Sequence, residues 1–119
     1  MTPKLRLVEF EGDSREVLAH FPESVRFDLG YQLFRIQEGK EPYDWKPFKS
    51  VGSGCREIRV WDQSGTYRAI YVLIVSDTVH VLHVFQKKSE KTALREVAIA
   101  RERFRSLKGR IEDGKRGKI

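Results

Sequence analysis

Residues 56–72 read REIRVWDQSGTYRAIYV, two runs of β-branched and aromatic residues parted by Asp62-Gln63-Ser64-Gly65. Such runs on either side of a short polar turn ending in glycine predict a β-hairpin. Whether the hairpin closes through two loop residues or four, Arg59 falls opposite Arg68 and Trp61 opposite Thr66. Like charges directly across a strand pair destabilise it by ~1 kcal/mol or less, so the pairing is allowed but asks for a counterpart. One counterpart is internal: Glu57 and Asp62 as counter-charges at the sheet edge, a network of little energetic worth. The other is a phosphodiester, which suits the planar donor fork of arginine.

Working outward, Thr66 to Val75 and Thr78 to Gln86 are apolar on both parities, as expected of strands covered on both faces. The short turn Ser76-Asp77 links them. Upstream, KLRLVEF (Lys4 to Phe10) predicts a short strand. Asp13 and Glu16 have the spacing of a capping box for a helix reaching about His20, with Val17, Leu18 and Phe21 turned to the core. A second helix begins near Pro22, which suits a first turn. Its apolar face is Val25, Leu29, Leu33 and Ile36, and Gly39 closes it. Lys40 to Gly54 lacks periodicity and holds two prolines, so it is expected to be a loop. Its Gly52-Ser53-Gly54 precedes a strand and lacks the Lys-Ser/Thr ending of a phosphate-cradling loop.

Downstream, a last helix is expected with Thr92 as cap, Leu94, Val97, Ala100, Phe104 and Leu107 as apolar stripe, and Gly109 as stop. The order strand–helix–helix–strand–strand–strand–helix predicts an α+β fold, a small, largely antiparallel sheet with a helical hairpin packed on it. Residues 1–108 form one domain in this reading, and 109–119 a basic flexible tail.

Composition narrows the function. The chain has 119 residues and a net charge of +6. Residues 1–50 hold 8 Lys/Arg against 9 Asp/Glu, and residues 51–119 hold 15 against 8. Such one-sided basicity is the footprint of a nucleic-acid or phosphate binder. No apolar run approaches the ~20 residues that span a bilayer, and the N-terminus lacks the apolar centre of a signal peptide. One cysteine, Cys55, excludes an internal disulfide and a cysteine metal cluster; a reduced, cytoplasmic setting fits.

Within the strands, HVFQKK (His83 to Lys88) delivers Lys87 and Lys88 to the sheet edge just before the last helix. Phe85 and Trp61 suit either packing or base stacking, as does Trp45. His80 and His83 are expected on opposite faces, and either is a possible proton carrier. Three histidines without a paired acidic cluster do not make a metal site. No hydroxyl or cysteine nucleophile motif is present.

CREIRVWDQSGTYRAIYVL, followed by VHVLHVFQKKSEKTALREVAIARERF, resembles the RelE/ParE superfamily of bacterial toxins, and more narrowly its phage-derived HigB-like branch. The carrying features are the Tyr-Arg strand (Tyr67, Arg68) and the Phe-x-Lys-Lys strand end (Phe85, Lys87, Lys88). The resemblance covers Pro22 to about Leu107. It implies a RelE/ParE-like fold and a metal-independent, ribosome-dependent endoribonuclease that cuts messenger RNA without a cofactor. It also implies a cognate antitoxin, expected to be a helix-turn-helix protein through which alone operator DNA is contacted; no membrane is involved.

By position, Arg68 matches the arginine of the Tyr-Arg strand, Arg59 a basic residue of the preceding strand, and Lys88, beside Lys87, the basic residue closing the last. Arg56, Trp61, Tyr67, Phe85 and Lys49 are the expected RNA contacts. Two departures matter. Glu57 stands where RelE-type toxins carry a second lysine, and Leu94 roughly where they carry a tyrosine. The acid–base role then falls to Glu57, His83 or a lysine. A gyrase poison of the ParE type and an inactive phage-derived nucleic-acid-binding module are the alternatives that share this fold.

Overall fold

The computed structural model describes residues 4–74 and 77–116. Alternation places a short strand at Leu7–Phe10 (β1), followed by helices at Ser14–Ala19 (α1) and Glu23–Gln37 (α2). Four more strands follow: Trp45–Pro47 (β2), Arg56–Asp62 (β3), Gly65–Ile74 (β4) and Thr78–Lys87 (β5). A last helix runs over Leu94–Arg116 (α3). They build one five-stranded sheet in the order β1-β5-β4-β3-β2, antiparallel except that β1 runs parallel to β5. The α+β expectation holds, and so does the hairpin register, with Arg59 opposite Arg68 and Trp61 opposite Thr66.

Both faces of the sheet are covered, which is why β4 and β5 are apolar on both parities. On one face Val25, Leu29, Leu33 and Ile36 of α2 pack on Ile58, Val60, Ala69, Tyr71 and Val81, with Val17, Leu18 and Phe21 at the margin. On the other face Ala100, Phe104 and Leu107 of α3 pack on Ile70, Val72, Leu82 and Phe85. Gly52 belongs to this second layer, because a Cβ there would run into the Phe104 ring.

Several local expectations are corrected. The first strand is confined to Leu7–Phe10, and Pro22 precedes the first turn of α2 as its cap rather than lying within it. Asp13 makes no capping bond, because its carboxylate is taken by Arg103 at 2.6 Å. The stretch 40–54 holds an edge strand, β2, whose Pro47 is tolerated because an edge needs fewer donors. Thr92 does not cap α3; the first helical bond runs from the Val97 N–H to the Ala93 carbonyl. Leu94 is 87% exposed and lies outside the apolar stripe.

Gly109 does not stop α3, which continues to Arg116, so most of the expected tail is helical; residues 117–119 lie outside the described chain. A helical glycine costs ~1 kcal/mol relative to alanine. Ile111 packing on the second core and the Arg110–Glu11 ion pair offset that cost. Val75, expected to end β4, also lies outside the described residues.

The two strand histidines share one face, contrary to expectation. Ile70 pairs with His83 but its neighbour Tyr71 pairs with Val81, so Leu82 is an extra residue in β5. The bulge shifts the alternation by one position, and both His80 and His83 point toward α3.

Candidate phosphate-binding face

The strand register lays three cross-strand rows on the α3 side of the sheet: Trp61–Thr66–Lys87, Arg59–Arg68–Phe85 and Glu57–Ile70–His83. Seven of the expected site residues therefore meet on one face, Trp61, Arg59 and Glu57 from β3 with Arg68 from β4 and Phe85, Lys87 and His83 from β5. Lys88 follows directly in the chain.

Arg59 is not left to repel Arg68. Its guanidinium holds the Asp44 carboxylate through Nε at 3.0 Å and Nη2 at 2.7 Å, and its backbone N–H donates to the Asp44 carbonyl at 2.8 Å. Asp62, the expected counter-charge, is spent elsewhere, accepting from Ser24 and from Ser64. These bonds hold its carboxyl down at about 2.

Arg68 is the residue left over. It is 8% exposed, and its Nε and Nη1 meet no hydrogen-bond partner among the described residues. Burial pushes its pKa down; the Glu57 charge opposes this, while the Arg59 charge adds to it. Glu57 is 2% exposed, with Oε1 3.9 Å from Lys46 Nζ and Oε2 without a hydrogen-bond partner among the described residues. A buried donor without an acceptor is costly, and a phosphate oxygen is the acceptor this fork fits.

His83 has no nitrogen to spare. Its Nδ1 lies 3.3 Å from Arg103 Nη1 and its Nε2 3.0 Å from Glu96 Oε1. Arginine only donates, so Nδ1 accepts and Nε2 carries the proton given to Glu96. Burial pushes the His83 pKa down, chiefly against Glu96, and keeps the ring neutral. The ring stacks on Phe85 with centroids 5.3 Å apart. Phe85 is thus a core residue beside Arg68, whereas Trp61, 80% exposed, presents its ring to solvent.

Three expected RNA contacts are not brought to this face. Tyr67 points the other way, buried against Phe21, with its hydroxyl on Ser64 Oγ at 2.7 Å. Arg56 also faces away, stacked on Trp45 and paired with Glu41 at 2.7 Å. Lys49 lies with Trp45 and Arg56 around a separate hollow by β2. Cys55 is buried, its thiol pushed up to about 11 by burial, which removes it as a nucleophile.

Sequence reasoning missed Asp44, Lys46, Glu96 and Arg103. Arg103 reaches from α3 to donate to the Leu82 carbonyl at 3.0 Å and so satisfies the bulge, while also holding Asp13. Gly12, at φ +55°, has no Cβ to block that arginine. A signal existed: Glu96 and Arg103 fall one heptad apart on the Ala100 and Leu107 stripe, where charges need a partner. Asp44 and Lys46 carried none, because their roles depend on an edge strand that periodicity does not show.

An acidic pair beside a histidine also escaped notice. The ligand atoms of Glu9, Glu11 and His80 lie within 4.8 Å of one another. Glu11 accepts from Arg110 through Oε1, while its Oε2 faces His80 Nδ1 at 3.0 Å. The cluster ties β1 and β5 to α3.

The family described as phage derived protein Gp49-like (DUF891) matches residues 16–105. The free E. coli toxin RelE, in an arginine-substituted mutant, superposes with a TM-score of 0.57 at 18% identity, covering 79% of this chain and 95% of that one. The toxin–antitoxin complex RelBE of E. coli gives 0.48 at 18% identity over 71% of this chain and 99% of that chain. These likenesses are of fold. No curated protein sequence matches the chain.

Proposed function

The chain belongs to the phage-derived Gp49-like family and carries the RelE fold, and we propose that it is the toxin of a toxin–antitoxin pair, a ribosome-dependent messenger-RNA endoribonuclease acting in the cytoplasm. The observation that supports this most is Arg68, buried with two orphaned donors between a neutralised Arg59 and Phe85, with Lys87 in the next cross-strand row.

In this reading Arg68 binds the scissile phosphate. The ribose 2′-hydroxyl attacks phosphorus, the bond to the 5′-oxygen breaks, and a 2′,3′-cyclic phosphate and a 5′-hydroxyl result. Arg68, Lys87 and Lys88 stabilise charge on the phosphorane, an electrostatic contribution that is often the largest single one. Glu57, buried beside Arg68, holds the Arg68 charge in place. His83 is a positioning residue, its nitrogens both engaged. Trp61 stacks on a base. A cognate antitoxin, a helix-turn-helix protein that also carries the pair to operator DNA, restrains the activity.

In-vitro translation with toe-printing tests the reading. Messages cleaved in the decoding site by the native chain, and left whole by Arg68→Ala, are the expected result. Intact messages accompanied by gyrase–DNA breaks overturn it in favour of a gyrase poison.

A further inference from the structure

Strand geometry brings Glu9, Glu11 and His80 together. The parallel register sets Glu9 beside His80, and the ladder continues past Phe10 through the Glu11 N–H, which donates to the Val81 carbonyl at 2.9 Å. Side chains two residues apart share one face of a strand, so Glu11 follows Glu9 onto the face where His80 points. Both carboxylates converge on one atom: His80 Nδ1 lies 3.6 Å from Glu9 Oε2 and 3.0 Å from Glu11 Oε2. His80 and Glu11 are buried, at 6% and 8% exposure, whereas the Glu9 side chain opens to solvent.

A proton on Nδ1 can serve Glu11, but Glu9 at 3.6 Å lies beyond hydrogen-bond reach. Arg110 holds the other oxygen of Glu11. With His80 neutral, two carboxylate charges thus face one cation, and one negative charge has no counterpart within the cluster. We propose that Glu9, Glu11 and His80 bind one divalent transition-metal ion of the zinc type, which clamps β1 to β5. Bonds of about 2.0–2.2 Å give a zinc tetrahedron edges of roughly 3.3–3.6 Å between ligand atoms. The two separations from Nδ1 come within a few tenths of an ångström of those edges, so no strand has to move. The imidazole nitrogen selects this class of ion over magnesium and calcium, which take six or more oxygens. Coordination uses the Nδ1 lone pair, which leaves the ring proton on Nε2. Arg110 is the outer-shell partner that keeps Glu11 Oε2 turned toward the ion. The fourth position falls on the solvent side, beside Glu9, and takes water. His80 precedes Phe85, the partner of Arg68, by about 16 Å along β5. The ion therefore acts on the fold and not on the phosphate, and the inference stands apart from the toxin reading.

Calorimetric titration of the untagged full chain with zinc chloride at neutral pH tests the site. Uptake of a single zinc ion by the native chain is expected, weakened roughly tenfold or more in Glu9→Gln and lost in His80→Gln. Glu9 is on the surface, so Glu9→Gln should melt at the native temperature without metal; zinc should raise the melting point of the native chain and leave that of the variant unmoved. This surface variant keeps the test decisive even if His80→Gln does not fold. Magnesium and calcium are expected to produce neither uptake nor stabilisation. Absence of zinc uptake overturns the proposal, as does equal uptake by the native and Glu9→Gln chains. Magnesium or calcium bound as tightly as zinc would reduce the cluster to a non-selective acidic pair and overturn it too.

Discussion

Arg68 carries a charge that no neighbour contacts through its Nε or Nη1. Glu57 sets a counter-charge beside Arg68, so removing the arginine leaves a buried carboxylate with only Lys46 nearby and costs the fold about 1–3 kcal/mol, whereas removing a transition-state donor costs catalysis ~10²–10³-fold. Arg68→Met is therefore expected to lower the melting temperature modestly while abolishing most cleavage. A marked loss of stability would reveal a structural role instead. His83 behaves in the opposite way. Burial holds its folded pKa below the ordinary value near 6.5, so the unfolded chain takes up the proton first. The stability it supports is present above that value and is lost as pH falls from about 7 toward the lower folded pKa. Native chain and His83→Asn, compared by urea denaturation at either end of that window, should show the native chain losing more. A parallel loss in both would place the titration elsewhere. At this scale the sequence was partly legible: the Arg59–Arg68 pairing followed from hairpin arithmetic, but nothing local announced that Asp44 would neutralise one partner and leave the other.

Among the elements, β5 shows where pattern reading stops. Its run of apolar residues predicts a strand covered on both faces, which is what forms. The Leu82 bulge leaves no mark in that pattern, because a residue inserted between two apolar faces is apolar either way. The histidine faces were misplaced for that reason. Its energetic signature lies instead in α3, where Arg103 answers the orphaned Leu82 carbonyl. Arg103→Met should destabilise the fold by ~2 kcal/mol, the cost of a buried acceptor left unsatisfied. Leu94→Ser, at an exposed position of the same helix, should stay within about 0.5 kcal/mol. Chemical denaturation of both variants checks the contrast; equal effects would deny that Arg103 supports the bulge. The extension of α3 past Gly109 was hidden likewise, since its compensation comes from Glu11, far away in sequence.

Across the whole molecule, charge and fold were both readable in outline. Segregated basicity foretold cations gathered on the later strands and last helix, and the order of elements foretold the architecture. What composition did not foretell is how many cations stay free. Arg56, Arg59, Arg103 and Arg110 are each committed to a carboxylate. The 23 Lys and Arg of the chain thus overstate the cations free to meet an anion, although each such pair leaves the net charge unchanged. Binding to a short RNA, followed against salt, should give a log–log slope of about −2 to −3, the value for Arg68, Lys87, Lys88 and a further lysine at ~0.7 per single-strand contact. A slope twice as steep would mean that the paired arginines open to take part.

The parallel pairing of β1 with β5 has a consequence in time rather than in space. Leu7 meets Thr78, and Asp13 meets Arg103, so the first strand waits for most of the chain before it finds its place. Contacts this distant in sequence form late and slowly. During synthesis β5 and α3 emerge well after β1 and α1, which wait for them. The described fold is therefore complete only once α3 has been made, and a nascent chain carries its basic face unbraced until then.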